Sequence, residues 1–182
     1  KSAVFDLSIS AWQSHTETLP SLGHAWINRA KQDGNAACLT DIQGNTSLSR
    51  RKTLVGTLLF SRRFKKRSPE QNIGLLLPTS SAGIIANMAA FISGKTVINL
   101  NFSSNVNSLL SAIDKAEIST IYTSKQFITK LKAKGVDLSS LFDHANPVYL
   151  EDLKQEISTT EQVLTLVASY VLPTSWLVSL FG

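Results

Sequence analysis

The sequence predicts an α/β domain, with a mostly parallel sheet flanked by helices and a small hairpin near the start. Three strand-like segments alternate with three segments of helical spacing between residues 73 and 133, at a pitch of about two dozen residues. The first strand-like segment, 73–77, is continuously apolar, which is typical of a strand buried on both faces. This alternation favours parallel strands joined by right-handed crossovers, with helices packed on the sheet.

Turn and capping residues delimit the elements of this central region. Gly94 closes the first helix, Ser103-Ser104 are the expected cap of the second, and Gly135 breaks the third. The predicted strands are 73–77, 96–102 and 120–123, with 147–150 as a fourth candidate, and the predicted helices are 82–93, 106–117 and 126–133.

Two helices and a hairpin are predicted before the central region. The segment 21–32 has helical spacing and ends at Asp33-Gly34, where Gly34 is the expected C-terminal cap. A second helix is expected from the N-cap Ser49 to about Arg67. Between these helices lies a predicted hairpin, made of strands 37–42 and 46–48 and the turn 43–45.

The two ends of the chain differ from the middle. Residues 1–20 are expected to be a weakly organised lead-in or linker, and the lack of an initiator methionine suggests that the chain begins inside a longer protein. The expected organisation is therefore a lead-in over 1–20, an α/β subdomain over 21–160 and an apolar tail over 161–182.

The tail has no charged residue from Gln162 to Gly182, a length that could span a bilayer. Pro173-Thr174-Ser175 in its middle argues against a transmembrane helix. A helix or pair of helices packed on the domain, or on a neighbouring segment, is the favoured interpretation. A membrane-surface helix is the alternative, and the lack of Lys or Arg within the tail counts against it.

Composition limits the classes of protein that the chain can belong to. Its 182 residues are 43% hydrophobic and 17% charged, which suits a globular domain and not a disordered one. The net charge of +5 favours acidic partners, namely nucleic acid, an anionic membrane surface or an acidic carrier protein. The only cysteine, Cys38, excludes an internal disulfide and a cysteine-based zinc cluster, and its apolar neighbours favour a core role over a nucleophilic one.

No catalytic, cofactor-binding or metal-binding constellation is predicted in the chain. The histidines His15, His24 and His144 are far apart and lack metal-ligand spacing. No serine elbow of the form G-x-S-x-G is present. Gly94-Lys95-Thr96 resembles part of a phosphate loop, but it follows a helix and enters a strand, so its amides would not converge on a phosphate.

A run of basic residues ends the helix that starts after Ser49. Cations at a helix C-terminus are stabilised by the helix dipole, which is the favoured explanation for the run. The alternative is a docking patch for an acidic carrier protein or anionic lipid headgroups. Nucleic acid is disfavoured because only Phe64 interleaves with the charges. The residues of this basic run are Arg62, Arg63, Lys65, Lys66 and Arg67.

The stretch 72–124 resembles the N-terminal subdomain of the adenylate-forming acyl-activating synthetases. The resemblance lies in structural turns, namely Leu77-Pro78-Thr79, the helix closed by Gly94, Asn99-Leu100-Asn101-Phe102 and Tyr122-Thr123-Ser124. The Leu-Asn-Phe-Ser form of the second turn is most similar to one branch, the acyl-[acyl-carrier-protein] synthetase half of 2-acylglycerophosphoethanolamine acyltransferases. Thr79 departs from the asparagine that is commoner in the family.

The resemblance implies an ATP- and Mg-dependent parent enzyme that activates a fatty acid and passes it to acyl carrier protein and a lysophospholipid. The family's phosphate-binding loop and catalytic lysine would follow Gly182, so the chain is expected to be an inactive N-terminal fragment without cofactors. The implied location is the cytoplasm, or the periphery of the inner membrane through the parent protein. The alternative is a non-catalytic α/β module that binds a membrane or a partner protein.

Overall fold

A computed structural model describes residues 2–41 and 46–182 of the chain. The predicted hairpin turn at 43–45 lies outside the described residues. The strands are β1 Ala37–Asp41, β2 Thr46–Ser49, β3 Asn72–Leu76, β4 Thr96–Asn99, β5 Thr120–Thr123 and β6 Asn146–Tyr149. The helices are α1 Ser2–Thr18, α2 Leu22–Gln32, α3 Arg50–Arg67, α4 Ser81–Ile92, α5 Val106–Lys115, α6 Lys125–Ala133, α7 Leu141–His144, α8 Leu150–Gln155, α9 Thr159–Val171 and α10 Thr174–Phe181.

Four strands form a parallel sheet in the order β4-β3-β5-β6, and β1 and β2 form a separate antiparallel pair. The predicted fold class is therefore confirmed. From β3 the chain moves outward to β4, then crosses back past β3 to β5 and continues to β6. The direction of winding thus reverses between β3 and β5. Such a reversal places successive crossover helices on opposite faces of the sheet.

One face of the sheet is covered by α5, α6 and α7. Leu109 and Ile113 of α5 and Leu131 of α6 pack with Ile121 of the central strand β5. The ring of Phe102 meets the ring of Phe127 edge-on, with 5.1 Å between centroids. These contacts form a continuous apolar core on this face.

The opposite face is covered by α3, α4 and α8. Small residues of α4, including Ala86 and Ala90, bring this helix close to Ile73 and Leu75 of β3. Tyr122 of β5 is fully buried, and its ring stacks on Phe64 of α3 with 3.9 Å between centroids. Its hydroxyl lies 2.7 Å from Ser68 Oγ, so the buried polar group has a partner. Burial raises the pKa of Tyr122 to about 12, although the Ser68 hydrogen bond opposes the shift.

A further layer of helices lies beyond α3. Ile27 of α2 and Leu177 and Phe181 of α10 pack against Leu54 and Leu58 of α3. The predicted pair of helices in the tail is confirmed by α9 and α10, which both contact α3. Helix α3 therefore has one side in the core beneath the sheet and another in this outer core.

Polar contacts attach α9 to the domain at both of its ends. Near its start, Glu161 accepts hydrogen bonds from Arg63 Nη1 at 2.8 Å and Nη2 at 2.6 Å. Near its end, the Ser169 carbonyl accepts from Arg51 at 2.6 Å and the Leu172 carbonyl accepts from Lys31 at 2.6 Å. Cations at carbonyls of the last helical turn complement the helix dipole.

The structure corrects three local predictions. Residues expected to be a weakly organised lead-in form α1, because the segment contains neither glycine nor proline between its ends. Asn105, rather than Ser103-Ser104, caps α5, since its side chain accepts from Ser108 N at 2.8 Å. Gly34, predicted to cap α2, does not adopt the positive φ of a glycine cap. A Cβ at this position would lie 2.7 Å from Arg51 Nε, so the close approach of Arg51 accounts for the glycine.

We predict opposite effects for alanine at two helical glycines. A Cβ at Gly83 would lie 2.7 Å from the Pro78 carbonyl oxygen, whereas a Cβ at Gly56 would meet only Ile85 at ordinary contact distance. Gly83→Ala should lower the free energy of unfolding by about 1–3 kcal/mol through overpacking. Gly56→Ala should raise it by about 0.5–1 kcal/mol, because alanine favours helix. Urea unfolding of both variants measures the effects, and equal shifts would contradict the prediction.

We also predict that the Arg63–Glu161 contact stabilises the fold in a pH-dependent way. Hydrogen bonding to Arg63 holds the pKa of Glu161 below its ordinary value of 4.5. A carboxylate with a lowered folded-state pKa stabilises the protein above its ordinary pKa, and this contribution is lost as pH falls through the folded pKa. Glu161→Gln should therefore destabilise the chain at neutral pH, and the difference from wild type should shrink below about pH 4.5.

The matched control is Arg63→Gln, alone and combined with Glu161→Gln. The coupling energy from this double-mutant cycle should be clear at neutral pH and disappear in acid. Urea unfolding across the pH range gives both quantities. A coupling that does not change with pH would contradict the assignment.

Candidate functional site

The carboxyl edge of the parallel sheet is the candidate functional site. In open α/β sheets, ligands bind outside the carboxyl ends of the strands, near the point where the winding direction reverses. Here that edge is formed by the residues that follow β3, β4, β5 and β6. The reversal lies between β3 and β5.

A cavity of about 330 Å³ opens at this edge beside the ends of β3 and β4. Its apolar wall includes Leu75, Ile84 and Leu100. Its polar groups are hydroxyls and side-chain amides, and none of its lining residues carries an ionisable side chain. The polar residues are Thr79, Ser80, Asn87, Asn99 and Asn101. The cavity therefore offers a ligand hydrogen-bonding groups but no charged side chain.

Two asparagines in the cavity pair through their side-chain amides. Asn99 Nδ2 donates to Asn87 Oδ1 at 3.0 Å, and Asn87 Nδ2 lies 3.3 Å from Asn99 Oδ1. Asn87 Nδ2 also donates to the Gly83 carbonyl at 2.9 Å. The pair links the middle of α4 to the end of β4. Sequence reasoning missed Asn87, although its polar side chain stands out in an otherwise apolar helix.

The structure brings together three of the four turn residues on which the predicted resemblance rests. Pro78, Thr79 and Asn101 all line the cavity. Asn101 Oδ1 accepts from the Ser103 amide at 3.1 Å and from its hydroxyl at 2.6 Å, so it stabilises its own turn. Gly94 lies at the other end of α4, just before β4, with a φ of 72° that favours glycine.

At the ends of β5 and β6, the carboxyl edge holds a carboxylate of the chain itself. Glu151, at the start of α8, accepts from Ser124 Oγ at 2.7 Å and from the Lys125 amide at 3.1 Å. It also accepts from the Gln126 amide at 3.3 Å. Burial acts to raise the pKa of Glu151, but these hydrogen bonds outweigh it and the pKa lies below its ordinary value. The start of α6, where an external anion could bind, already holds this charge.

The basic run lies at the end of α3 beside the start of α9. Arg62 lies 3.8 Å from Glu161, and Arg67 pairs with Glu156. Lys65 donates to the Gly182 carbonyl. Together the run and these two glutamates line a cavity of about 860 Å³ and carry five positive and two negative side chains, a net charge of +3. Part of the run is thus paired within the fold, and the docking patch stays a prediction.

Two of the three histidines have local partners. His24 Nδ1 lies 2.9 Å from Ser21 Oγ, and His144 Nδ1 lies 3.3 Å from Asp114. His15 lies on α1, and Cys38 is half-buried in β1. Across 2–41 and 46–182, no three His, Cys, Asp or Glu residues are grouped so that they could hold a metal ion. In the same residues, no helix has the length and apolar character needed to cross a bilayer.

Comparison with known proteins identifies the fold of the chain. No family model matches the sequence. O-succinylbenzoate coenzyme A synthetase from Bacillus subtilis, solved with AMP, matches with a TM-score of 0.61 and 13% identity over 72% of this chain. The N-terminal domain of FACL13 from Mycobacterium tuberculosis matches with a TM-score of 0.62 and 8% identity over 75%. A fatty acyl CoA synthetase from the same organism has a TM-score of 0.59 and 9% identity over 75%.

The chain spans only part of each of these structures, 32%, 35% and 28% of their respective lengths. The neighbours are synthetases that activate acyl groups, and the Bacillus subtilis enzyme has also been solved with an acyl-adenylate intermediate. The chain therefore has the α/β fold found in the N-terminal region of the AMP-binding, adenylate-forming synthetases.

Proposed function

We propose that this chain is the N-terminal scaffold of a fatty-acid-activating synthetase. The complete enzyme would join a fatty acid to ATP as an acyl adenylate, then transfer the acyl group to the thiol of acyl carrier protein and on to a lysophospholipid of the 2-acylglycerophosphoethanolamine type. The observation that carries the proposal is the shared fold, in which Pro78, Thr79 and Asn101 line one cavity at the carboxyl edge. The parent enzyme would act in the cytoplasm or at the periphery of the inner membrane.

The described residues do not fit ATP or Mg²⁺. In adenylate formation, a carboxylate oxygen attacks the α-phosphate and pyrophosphate leaves, so the developing negative charge needs cationic donors. The cavity beside β3 and β4 is lined by neutral groups, and the start of α6 holds Glu151. The residues that bind ATP and Mg²⁺ would therefore belong to another part of the parent protein. This chain would supply the sheet against which that part is positioned.

The second candidate function is a non-catalytic module that binds a membrane or a partner protein. It is favoured by the apolar side chains that α9 and α10 expose to solvent. The two functions differ in one simple respect: only the synthetase requires a phosphate-binding loop and a catalytic lysine elsewhere in the protein.

We predict that the protein encoded by the complete reading frame catalyses fatty-acid-dependent exchange of pyrophosphate into ATP in the presence of Mg²⁺. The 182-residue chain alone should show no exchange above a protein-free control. The reason is that the described residues offer no cationic group at the cavity to stabilise the reacting phosphate.

Exchange is measured by the incorporation of labelled pyrophosphate into ATP with a long-chain fatty acid, and again without it. Exchange by the 182-residue chain alone would overturn the scaffold assignment. A complete protein with no exchange for any chain length tested would favour the binding module instead.

A further inference from the structure

From residue 163 onward, helix α9 presents most of its apolar side chains to solvent and turns two polar side chains toward the domain. Thr165 and Ser169 point inward and are 2% and 0% exposed. At 100° per residue, the apolar positions fall within an arc of about 160° on the opposite side of the helix. These outward residues are Val163, Leu164, Leu166, Val167, Tyr170 and Val171. An ordinary surface helix has the reverse arrangement.

Helix α10 extends the same exposed surface. Trp176 and Leu180 are 63% and 59% exposed, one helical turn apart, while Leu177 and Phe181 pack inward. Leu164 of α9 and Leu180 of α10 line one groove of about 450 Å³, so the two helices share a surface there. The six outward residues of α9 and these two residues of α10 are named the α9–α10 face below.

The polar anchors show that this orientation is specified by the sequence. Arg63 binds Glu161 at one end of α9, and Arg51 and Lys31 bind carbonyls at the other. Rotating the helix to bury its valines would break these contacts and leave charged groups without partners, which is costly. Contiguous exposed apolar surfaces of this kind mark sites of interaction.

Basic side chains border one end of the α9–α10 face. Arg62 lines the groove with Leu164 and Leu180, and its side chain is 59% exposed. Lys65 and Lys66 are exposed and lie with Leu180 along the neighbouring cavity. The tail has no Lys or Arg of its own after Gln162. The fold supplies the missing cations from α3, which removes the sequence argument against a membrane-surface helix.

We propose that the α9–α10 face binds a lipid surface that carries anionic headgroups. Its apolar side chains would enter the headgroup region, and Arg62, Lys65 and Lys66 would contact the phosphates. Tyr170 and Trp176 suit this boundary because each combines an apolar ring with a polar group. At about 1.5 Å per residue, the 13-residue α9 is about 20 Å long, so it lies along the surface and does not span the hydrocarbon.

The charge pattern favours lipid over two other occupants. A second copy of the chain, packed so that the two basic ends meet, would bring two net positive clusters together, and like charges repel. The acidic charge of a carrier protein would attract the cations, but that charge alone offers no partner for the aliphatic arc of α9. An anionic lipid surface matches both the cations and the apolar arc. The inference concerns the chain itself and does not depend on the proposed enzymatic activity.

The test is flotation of the 182-residue chain with vesicles. The chain should float with vesicles of phosphatidylcholine and phosphatidylglycerol, float less with phosphatidylcholine alone, and bind more weakly as salt is raised. Val167→Asp should weaken the affinity by at least about tenfold, because a charge enters the apolar face. The matched control is Val136→Asp, an exposed valine beyond α6 on the other side of the sheet, which should bind as wild type does.

A second pair of variants tests the cations. Lys65→Glu with Lys66→Glu should weaken binding to anionic vesicles by about twentyfold or more, since each basic residue near an anionic surface contributes about fivefold. Lys130→Glu with Lys132→Glu changes the same charge in the last turn of α6 and should have little effect. Circular dichroism and thermal unfolding of each variant check that the fold is kept.

Four outcomes would overturn the proposal. The first is a wild-type chain that does not float with anionic vesicles, and the second is equal loss of binding in Val167→Asp and its Val136→Asp control. The third is a dimer in analytical ultracentrifugation that Val167→Asp dissociates while vesicles are not bound, which would assign the face to a second copy. Binding to acyl carrier protein in the absence of vesicle binding would likewise reject the lipid assignment.

Discussion

The packing of α3 between two cores is the constraint on which the rest of the structure depends. On one side, Phe64 stacks on Tyr122 of the central strand; on the other, Leu54 and Leu58 contact α2 and α10. Its buried hydroxyls are satisfied locally or by the tail, for example Thr57 by the Thr53 carbonyl at 2.8 Å and Ser61 by the Phe181 carbonyl at 2.8 Å. A helix buried on two sides fixes the outer layer relative to the sheet, and therefore fixes which side of α9 faces solvent.

The carboxyl edge of the sheet combines a rigid framework with little reactive chemistry. Asn87 and Asn99 hydrogen-bond to each other, so these two side-chain amides satisfy each other and are less available to bind a ligand. Glu151 satisfies the free amides at the start of α6 and also fills that site with negative charge. The cavity at this edge positions neighbouring groups but contributes no acid, base or cation of its own to a reacting phosphate. The proposed function rests on this division: this chain supplies the scaffold, and another part of the parent protein would supply the reactive groups.

The sequence predicted the elements whose signals are local. The strand 120–123 and the helix ending at Arg67 agree with the structure because apolar runs and capping residues determine them directly. The sequence singled out Pro78, Thr79 and Asn101 as turn residues. It did not indicate that Asn87 would line the same cavity, because that depends on the packing of α4 against β4. The orientation of α9 also could not be predicted from the sequence. Helical periodicity identifies two faces, but distant groups such as Arg51 and Arg63 decide which one is buried.

The same arginines explain how an apolar face can be kept exposed in a stable domain. Hydrophobic burial alone would favour turning the valines of α9 inward. Against this, Arg63 and Glu161 form a two-point ion pair, and Arg51 lies 4.0 Å from the centre of the Tyr170 ring while also binding the Ser169 carbonyl. Breaking these contacts would leave charged groups of α3 partly buried and unpaired, which is costly. Because polar contacts fix its inner side, α9 can keep its apolar side exposed for binding a partner.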